Sequence, residues 1–181
     1  MILISHQARR RIYNTLKATL LAGVFLPLQS ATAVDERRLS FLHTHTSERI
    51  SVSYRRGEEY LPAGLSELDT FLSDFRNGKS ISIDPQLLDL LYDIRAELGG
   101  KGTYEVISAY RSPETNEMLR NRSGGVAKNS LHMHGQAIDI RLTDVALERL
   151  RDTAIAMQRG GVGYYASSNF IHVDTGRVRR W

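Results

Sequence analysis

Apolar and polar residues alternate in six short stretches of the chain, a pattern typical of half-buried β-strands. The first two stretches, 39–42 and 50–54, flank a polar turn and predict a β-hairpin. The other four predicted strands cover residues 104–110, 137–141, 162–165 and 170–173.

Between these predicted strands, apolar residues recur at the spacing of a helix. Residues 63–77 carry their large apolar side chains on one face and predict the first helix. The second helix, 85–98, follows Asp84, a residue favoured at the N-cap. Two further helices are predicted, one beginning at 112–114 and one spanning about 144–158. No internal repeat or interdomain linker interrupts the pattern.

The first 33 residues have the organisation of a secretory signal peptide. A basic stretch at 9–11 precedes an apolar run at 20–28 and a small-residue cleavage site at 31–33. The apolar run is shorter than the roughly 20 residues that span a bilayer. The arginine pair at 9–10 also resembles a twin-arginine signal. We therefore predict export and a mature domain of residues 34–181 without a stable membrane span; an uncleaved anchor helix is the alternative.

The composition excludes several kinds of chemistry but says less about the class of protein. The 181 residues include no cysteine, so disulfides, thiolate metal sites and cysteine nucleophiles are excluded. The net charge of +4 comes from the leader, because the remainder carries 20 basic and 20 acidic residues. No basic stripe with interleaved aromatic residues is visible, and we therefore expect no nucleic-acid binding.

Two short segments contain candidate metal ligands. The first holds His132 and, seven positions later, Asp139; the second holds His172 and Asp174. Two histidines and one carboxylate form a ligand set of catalytic zinc that leaves one position open for water. Gly135 allows the chain to turn, so that His132 and Asp139 can converge on one point.

Other histidines leave alternatives open. His134 would point the same way as His132 in a strand, and a metal site could use either residue. His43 and His45 flank the predicted hairpin turn, where solvated side chains are the simpler interpretation. A histidine in a strand is also commonly a core or surface residue with a satisfied hydrogen-bond partner.

Four more residues are candidates for catalysis or substrate binding. Arg111 stands at the end of a predicted strand, where its guanidinium could hold a substrate carboxylate. Asp174 is the candidate general base, and its alternative role is to orient His172. Tyr164 or Tyr165 could donate a hydrogen bond to a developing oxyanion, although core packing is expected for at least one of them.

These motifs resemble a known peptidase family. The spacing of Ser130, His132, Gly135, Ala137 and Asp139 is similar to the zinc signature of the M15-like D-Ala-D-Ala peptidases of the LAS metallopeptidase superfamily. The segments SAYRSPETN, GVAKNSLH, GQAIDI, GGVGYY and NFIHVDTG extend the resemblance to the YcbK/MepK-type murein endopeptidases over most of the chain after residue 37.

The resemblance implies a fold and a site. It implies an α+β domain with a small antiparallel sheet that carries the site and with helices packed on one side. It implies Zn²⁺ on His132, Asp139 and His172, with His134 not essential, and Arg111 as the contact for a substrate carboxylate. Wider M15 members place a catalytic Glu three residues before the last zinc histidine.

Three residues before His172 this chain has Asn169, which cannot act as a base, and Asp174 is the expected substitute. The implied enzyme is a periplasmic zinc endopeptidase that hydrolyses peptide cross-links of peptidoglycan, particularly between two diaminopimelate residues. Peptidoglycan peptide stems are the expected partner, and an unidentified regulator is left open. The alternatives are a zinc D,D-carboxypeptidase or dipeptidase and a non-catalytic peptidoglycan-binding module.

Overall fold

The structure is a computed structural model that describes residues 35–181, so the predicted signal peptide and its cleavage site lie outside the described residues. Within this range the chain forms eight strands and four α-helices. The strands are β1 (Glu36–His43), β2 (Arg49–Arg56), β3 (Glu59–Tyr60), β4 (Tyr104–Ser108), β5 (Ala137–Leu142), β6 (Gly161–Tyr165), β7 (Phe170–Asp174) and β8 (Arg179–Arg180). The helices are α1 (Pro62–Phe71), α2 (Pro85–Glu97), α3 (Pro113–Arg122) and α4 (Leu147–Ala156).

All eight strands belong to one sheet, in the order β3-β2-β1-β4-β5-β7-β6-β8. The α+β class is confirmed, but the expected small antiparallel sheet is only partly correct. β1 pairs with β4 in parallel, and β8 pairs with β6 in parallel. The predicted hairpin is β1–β2, and the short strands β3 and β8 were not predicted because two residues carry no detectable alternation.

In the part of the sheet formed by β5 and β7, one face is apolar and the other is polar. Ile138 and Ile140 of β5 and Ile171 and Val173 of β7 are fully or almost fully buried in the core, which also includes residues of α1, α2 and α4. Because side chains alternate along a strand, the residues between them point to the opposite face. That opposite face carries Asp139 of β5 and the site described below.

Two helices differ from their predicted limits. α1 ends at Phe71 rather than at residue 77, because the buried carboxylate of Asp74 accepts hydrogen bonds from the backbone N–H groups of Arg76 and Ser112. α4 begins at Leu147, and Asp144, with a φ of 63°, lies outside the helix.

The limits of α2 agree with the prediction, since the Asp84 side chain accepts a hydrogen bond from the backbone of Gln86. Among the described residues, none of the helices combines the length and the apolar character that crossing a bilayer requires.

Candidate metal centre and active-site cleft

Three predicted metal ligands meet on the polar face of the sheet. Asp139 and His172 are directly opposite each other in the β5–β7 pairing, so their side chains lie on the same face. His132 comes from a short 3₁₀ helix, Leu131–His134, that leads into β5. Gly135 ends this helix in the left-handed conformation, with a φ of 66°, as the predicted turn requires. We call His132, Asp139 and His172 the ligand triad.

One atom of each triad residue points to a common centre. His172 Nδ1 lies 2.9 Å from Asp139 Oδ1, and His132 Nε2 lies 3.3 Å from the same oxygen. The two ring nitrogens are 3.2 Å apart. All three residues are buried, so their orientation is fixed by the surrounding structure.

The outer ring nitrogens have partners that fix the proton positions. His132 Nδ1 lies 2.7 Å from the carbonyl oxygen of Ala109, which can only accept, so Nδ1 carries a proton. His172 Nε2 lies 2.9 Å from Asp174 Oδ2 and donates to it in the same way. His132 therefore presents Nε2 to the centre of the triad, and His172 presents Nδ1, which lies against a carboxylate oxygen of Asp139. With a metal bound, both nitrogens would face it with a lone pair, as in metal-ligating histidines with hydrogen-bonded outer nitrogens.

Burial and hydrogen bonding shift the pKa of each triad residue. Burial lowers the pKa of His132, so its ring stays neutral. Burial alone would also lower the pKa of His172, but hydrogen bonds to Asp139 and Asp174 raise it above its ordinary value. Burial would raise the pKa of Asp139, yet His132 and His172 hold it well below its usual range. Two imidazole nitrogens and one carboxylate are a ligand set that suits zinc.

The expected general base, Asp174, does not reach the cleft. It is fully buried at 0% exposure, and both of its oxygens have partners. Arg179 donates two hydrogen bonds to it, at 2.6 and 3.0 Å, and the backbone N–H groups of Gly161 and Gly176 add two more. Burial would raise the pKa of Asp174, but the hydrogen bonds from His172 and Arg179 hold it well below its usual range. This geometry corresponds to the alternative role, orientation of His172.

Arg111 lies beside the triad, as predicted. It follows β4 by three residues, and its Nη2 lies 3.4 Å from Asp139 Oδ2 and 3.3 Å from Ser108 Oγ. Its Nε is buried without a hydrogen-bond partner. Burial lowers the pKa of Arg111, and the charges of Asp139 and Asp74 partly offset this effect. The residue lines the cleft, although it is almost fully buried.

The two tyrosines of β6 lie on opposite faces of the sheet. Tyr164 is level with Ile171 on the core face, and its hydroxyl donates a 2.7 Å hydrogen bond to Glu148 of α4. The prediction that Tyr164 binds substrate is therefore corrected, because strand alternation turns it away from the triad. Tyr165, one residue later, lines the cleft with the triad.

The cleft in front of the triad has a volume of about 500 Å³. Its lining includes residues of the segment 123–130, which precedes the 3₁₀ helix, and three aromatic residues. Within the described part of the chain, Asp139 is the one carboxylate among the lining residues, and Arg111 and Arg179 are the cationic ones. The cleft therefore suits a ligand that carries negative charge.

The last residues of the chain form part of this cleft, which the sequence analysis did not foresee. On the site face of β6, Gly161 and Gly163 have no side chains, and Arg179 and Trp181 cover them. A Cβ atom on Gly163 would come within 2.7 Å of the Trp181 ring. The two glycines at alternate strand positions were a signal that another side chain occupies that face.

Among residues 35–181, the remaining histidines do not join the triad. His134 is exposed, because residues two apart in a 3₁₀ helix do not share a face as they would in a strand. His43 is buried, contrary to the expected solvated turn, and packs edge-on against Phe75, with ring centroids 5.1 Å apart. His45 stacks on the same Phe75 ring at 4.2 Å.

Comparisons with known proteins agree on one family. The M15 peptidase family model described as "Peptidoglycan L,D-endopeptidase MepK" matches residues 31–181. The peptidoglycan L,D-endopeptidase MepK of Escherichia coli strain K12 is 41% identical over 177 residues, which cover 96% of this chain and 97% of the relative. A probable peptidoglycan L,D-endopeptidase MepK of Haemophilus influenzae is 44% identical over 146 residues, or 80% of this chain and 78% of the relative. The chain belongs to this M15 peptidase family.

Proposed function

We propose that this protein is a zinc-dependent peptidoglycan endopeptidase that acts in the periplasm. The observation that carries the proposal is the convergence of one ligand atom from each of His132, Asp139 and His172 in a cleft, while the outer nitrogens of both imidazoles are hydrogen-bonded to other groups. The relatives named as peptidoglycan L,D-endopeptidases supply the substrate class. The expected signal peptide supports the location.

The triad and its partners prepare the site for hydrolysis of an amide. His132, Asp139 and His172 would hold a divalent cation such as zinc, which would supply Lewis-acid activation of a scissile carbonyl and of water. The carbonyl oxygen of Ala109 and the carboxylate of Asp174 hold the two imidazoles in the required orientation. In the reaction the amide C–N bond breaks, the carbonyl carbon gains the hydroxyl of water, and the amine gains the proton.

Arg111 sets the polarity of the bound peptide. A free carboxylate on the carbon that bears the scissile nitrogen belongs to the residue that contributes the amine, because the corresponding carboxyl group of the other residue forms the scissile amide. Arg111, which lines the cleft beside Asp139, is placed to bind that carboxylate. A cross-link between two diaminopimelate residues has such a carboxylate next to its amine, and we propose this bond as the substrate.

The experiment that tests the proposal follows the cleavage of purified muropeptide dimers by mass spectrometry. Dimers of both linkage types are incubated with the zinc-loaded protein, with and without chelator. We expect conversion of diaminopimelate-linked dimers to monomers, and loss of this activity with chelator. Release of a terminal residue instead would make the protein a carboxypeptidase, and no turnover with zinc bound would contradict an enzymatic role.

A variant of Arg111 tests the proposed carboxylate contact. Arg111→Lys keeps the charge and loses the two-pronged donor geometry, so we expect KM to rise roughly tenfold or more without loss of bound metal. Lys79→Arg, a change at an exposed ion pair with Glu114, is the control. An unchanged KM in the Arg111→Lys variant would exclude a bidentate contact.

A further inference from the structure

Three aromatic residues, Tyr165, Phe170 and Trp181, form a continuous surface on one side of the cleft, which we call the aromatic wall. The rings of Tyr165 and Phe170 stack with centroids 4.7 Å apart. The indole nitrogen of Trp181 donates a 2.9 Å hydrogen bond to the hydroxyl of Tyr165. Trp181 is 51% exposed and Tyr165 is 37% exposed, so much of this surface is open to a ligand.

Secondary structure holds the wall in place. The backbone N–H of Trp181 donates to Val162, and the backbone N–H of Tyr164 donates to Trp181. The indole fits over Gly163, and the guanidinium of Arg179 lies 4.9 Å from the centre of its ring. The exposed ring is therefore held in a fixed position beside the triad, with its centroid 5.3 Å from that of His172.

The wall and Arg111 lie on opposite sides of the triad. Arg111 follows β4, Asp139 is on β5, His172 is on β7, and Trp181 covers Gly163 on β6, and these four strands are neighbours in the sheet. Three strand spacings separate the two ends of this row, a distance of about 14 Å. A peptide that crosses the strands with its scissile carbonyl at the triad therefore reaches Arg111 on one side and the wall on the other.

We propose that the aromatic wall is the subsite for the residue that contributes the carbonyl of the scissile bond, and that it binds the aliphatic part of that residue's side chain. The assignment rests on the proposed function, which places the amine-side residue at Arg111. The three residues of the wall carry no charge, and Arg179, which lies against the Trp181 ring, is paired with Asp174. The wall thus offers ring faces, which suit a run of methylene groups such as that of a diamino acid.

The first test uses tryptophan fluorescence, because Trp181 is the one tryptophan of the chain. The zinc-loaded full chain is titrated with the monomer that ends in diaminopimelate, the product of the carbonyl side, while calorimetry measures binding independently. We expect a saturable blue shift of the emission with the dissociation constant found by calorimetry. Calorimetric binding without a change in emission, or no binding in either measurement, would overturn the assignment.

The second test compares two synthetic cross-linked peptides that differ in the carbonyl-side residue, diaminopimelate in one and alanine in the other. Trp181→Ala should lower kcat/KM roughly tenfold or more for the first peptide and little for the second, since alanine has no chain to place on the wall. Trp181→Phe should recover most of the loss, and the bound metal should stay unchanged.

The outcomes separate this inference from the proposed function. An equal loss on both peptides would mean that Trp181 acts through His172, and no loss on either would mean that the wall does not contact substrate. If the unmodified protein cleaves neither peptide with metal bound, the proposed function fails, and the fluorescence titration alone then decides whether the wall binds the diaminopimelate side chain.

Discussion

His172 lies between two carboxylates that differ in exposure and partners. Asp139 faces the cleft and shares its Oδ1 with both histidines of the triad. Asp174 is fully buried, and Arg179 neutralises its charge. From these two environments we propose that Asp139 is a metal ligand and that Asp174 orients the imidazole.

Replacement of Asp174 distinguishes orientation from proton transfer. We expect Asp174→Asn to weaken zinc binding by about 10- to 100-fold, because the amide cannot accept from both His172 and Arg179 as the carboxylate does. Calorimetry of zinc binding measures the effect, and added zinc should restore part of the turnover. Asp152→Asn, at an exposed position on α4, serves as the control.

Normal zinc affinity together with abolished turnover in Asp174→Asn would instead identify Asp174 as the base. The sequence could name both roles because the pattern of His172 and Asp174 is local. It could not choose between them, since the choice depends on the burial of Asp174 and on the contact with Arg179 in a separate strand.

β6 is the element that links the triad to the end of the chain. Its site face consists of Gly161, Gly163 and Tyr165, and the two glycines leave the space that Arg179 and Trp181 occupy. Neither glycine has a positive φ, so the absence of a side chain, rather than backbone freedom, is what these positions require.

We therefore expect Gly163→Ala to displace the indole of Trp181 without unfolding the protein. The added methyl would lie within 3 Å of three atoms of that ring, at 2.7, 2.8 and 2.9 Å. A shift in the tryptophan emission, at an unchanged far-UV circular dichroism spectrum, is the measurement. Gly124→Ala, where the methyl meets open space, is the matched control, and identical emission in both variants would contradict this packing.

Hydrogen bonds to one aspartate of α2 join the hairpin to this helix. Asp89 of α2 accepts hydrogen bonds from Tyr54 and Tyr60, at 2.9 and 2.7 Å, and from Arg55 and Arg37, at 2.8 and 3.1 Å. Burial alone would raise the pKa of Asp89, but these hydrogen bonds and charges hold it below its ordinary value. The ionised carboxylate thus stabilises the attachment of β1, β2 and β3 to the helix.

Asp89→Asn should lower the free energy of unfolding by about 2 kcal/mol at pH 7, because it weakens charge-assisted hydrogen bonds from two half-buried arginines, while Arg37 keeps Asp93 and Arg55 keeps Glu58 as partners. Since the folded-state pKa is depressed, this contribution is complete above the unfolded-state value of about 4 and disappears as pH falls through the folded-state value. Urea unfolding of both proteins at pH 7, 5 and 3 measures the difference. A gap between the two proteins that stays constant down to pH 3 would contradict the ionised network.

The elements themselves were largely predictable, and their ends were not. α2 has both a capping aspartate and a glycine stop in the sequence, and its limits agree with the prediction. α1 lacks a local stop at Phe71, and it ends there because Asp74 bonds to Ser112, 38 residues away. A side chain that terminates a helix through a distant partner leaves no local pattern.

At the scale of the whole molecule, the order of strands creates the site. β4, β5, β7 and β6 are adjacent, so Arg111, Asp139, His172 and Trp181 form a row although 70 residues of sequence separate the first from the last. The parallel pairing of β1 with β4 continues the sheet beyond this row. Alternation of polar and apolar residues predicts strands but not their neighbours, which explains why the antiparallel sheet was only partly correct.

The most direct test of the central claim, that the ligand triad binds the metal used for hydrolysis, is a zinc titration of the chelator-stripped full chain. Bound zinc and the turnover of diaminopimelate-linked dimers are measured in the same samples, for the unmodified protein and for His132→Ala. We expect turnover to rise in proportion to bound zinc and to level off at one zinc per chain, with both signals lost in the variant. Full turnover in the metal-free protein, or in His132→Ala, would contradict the claim.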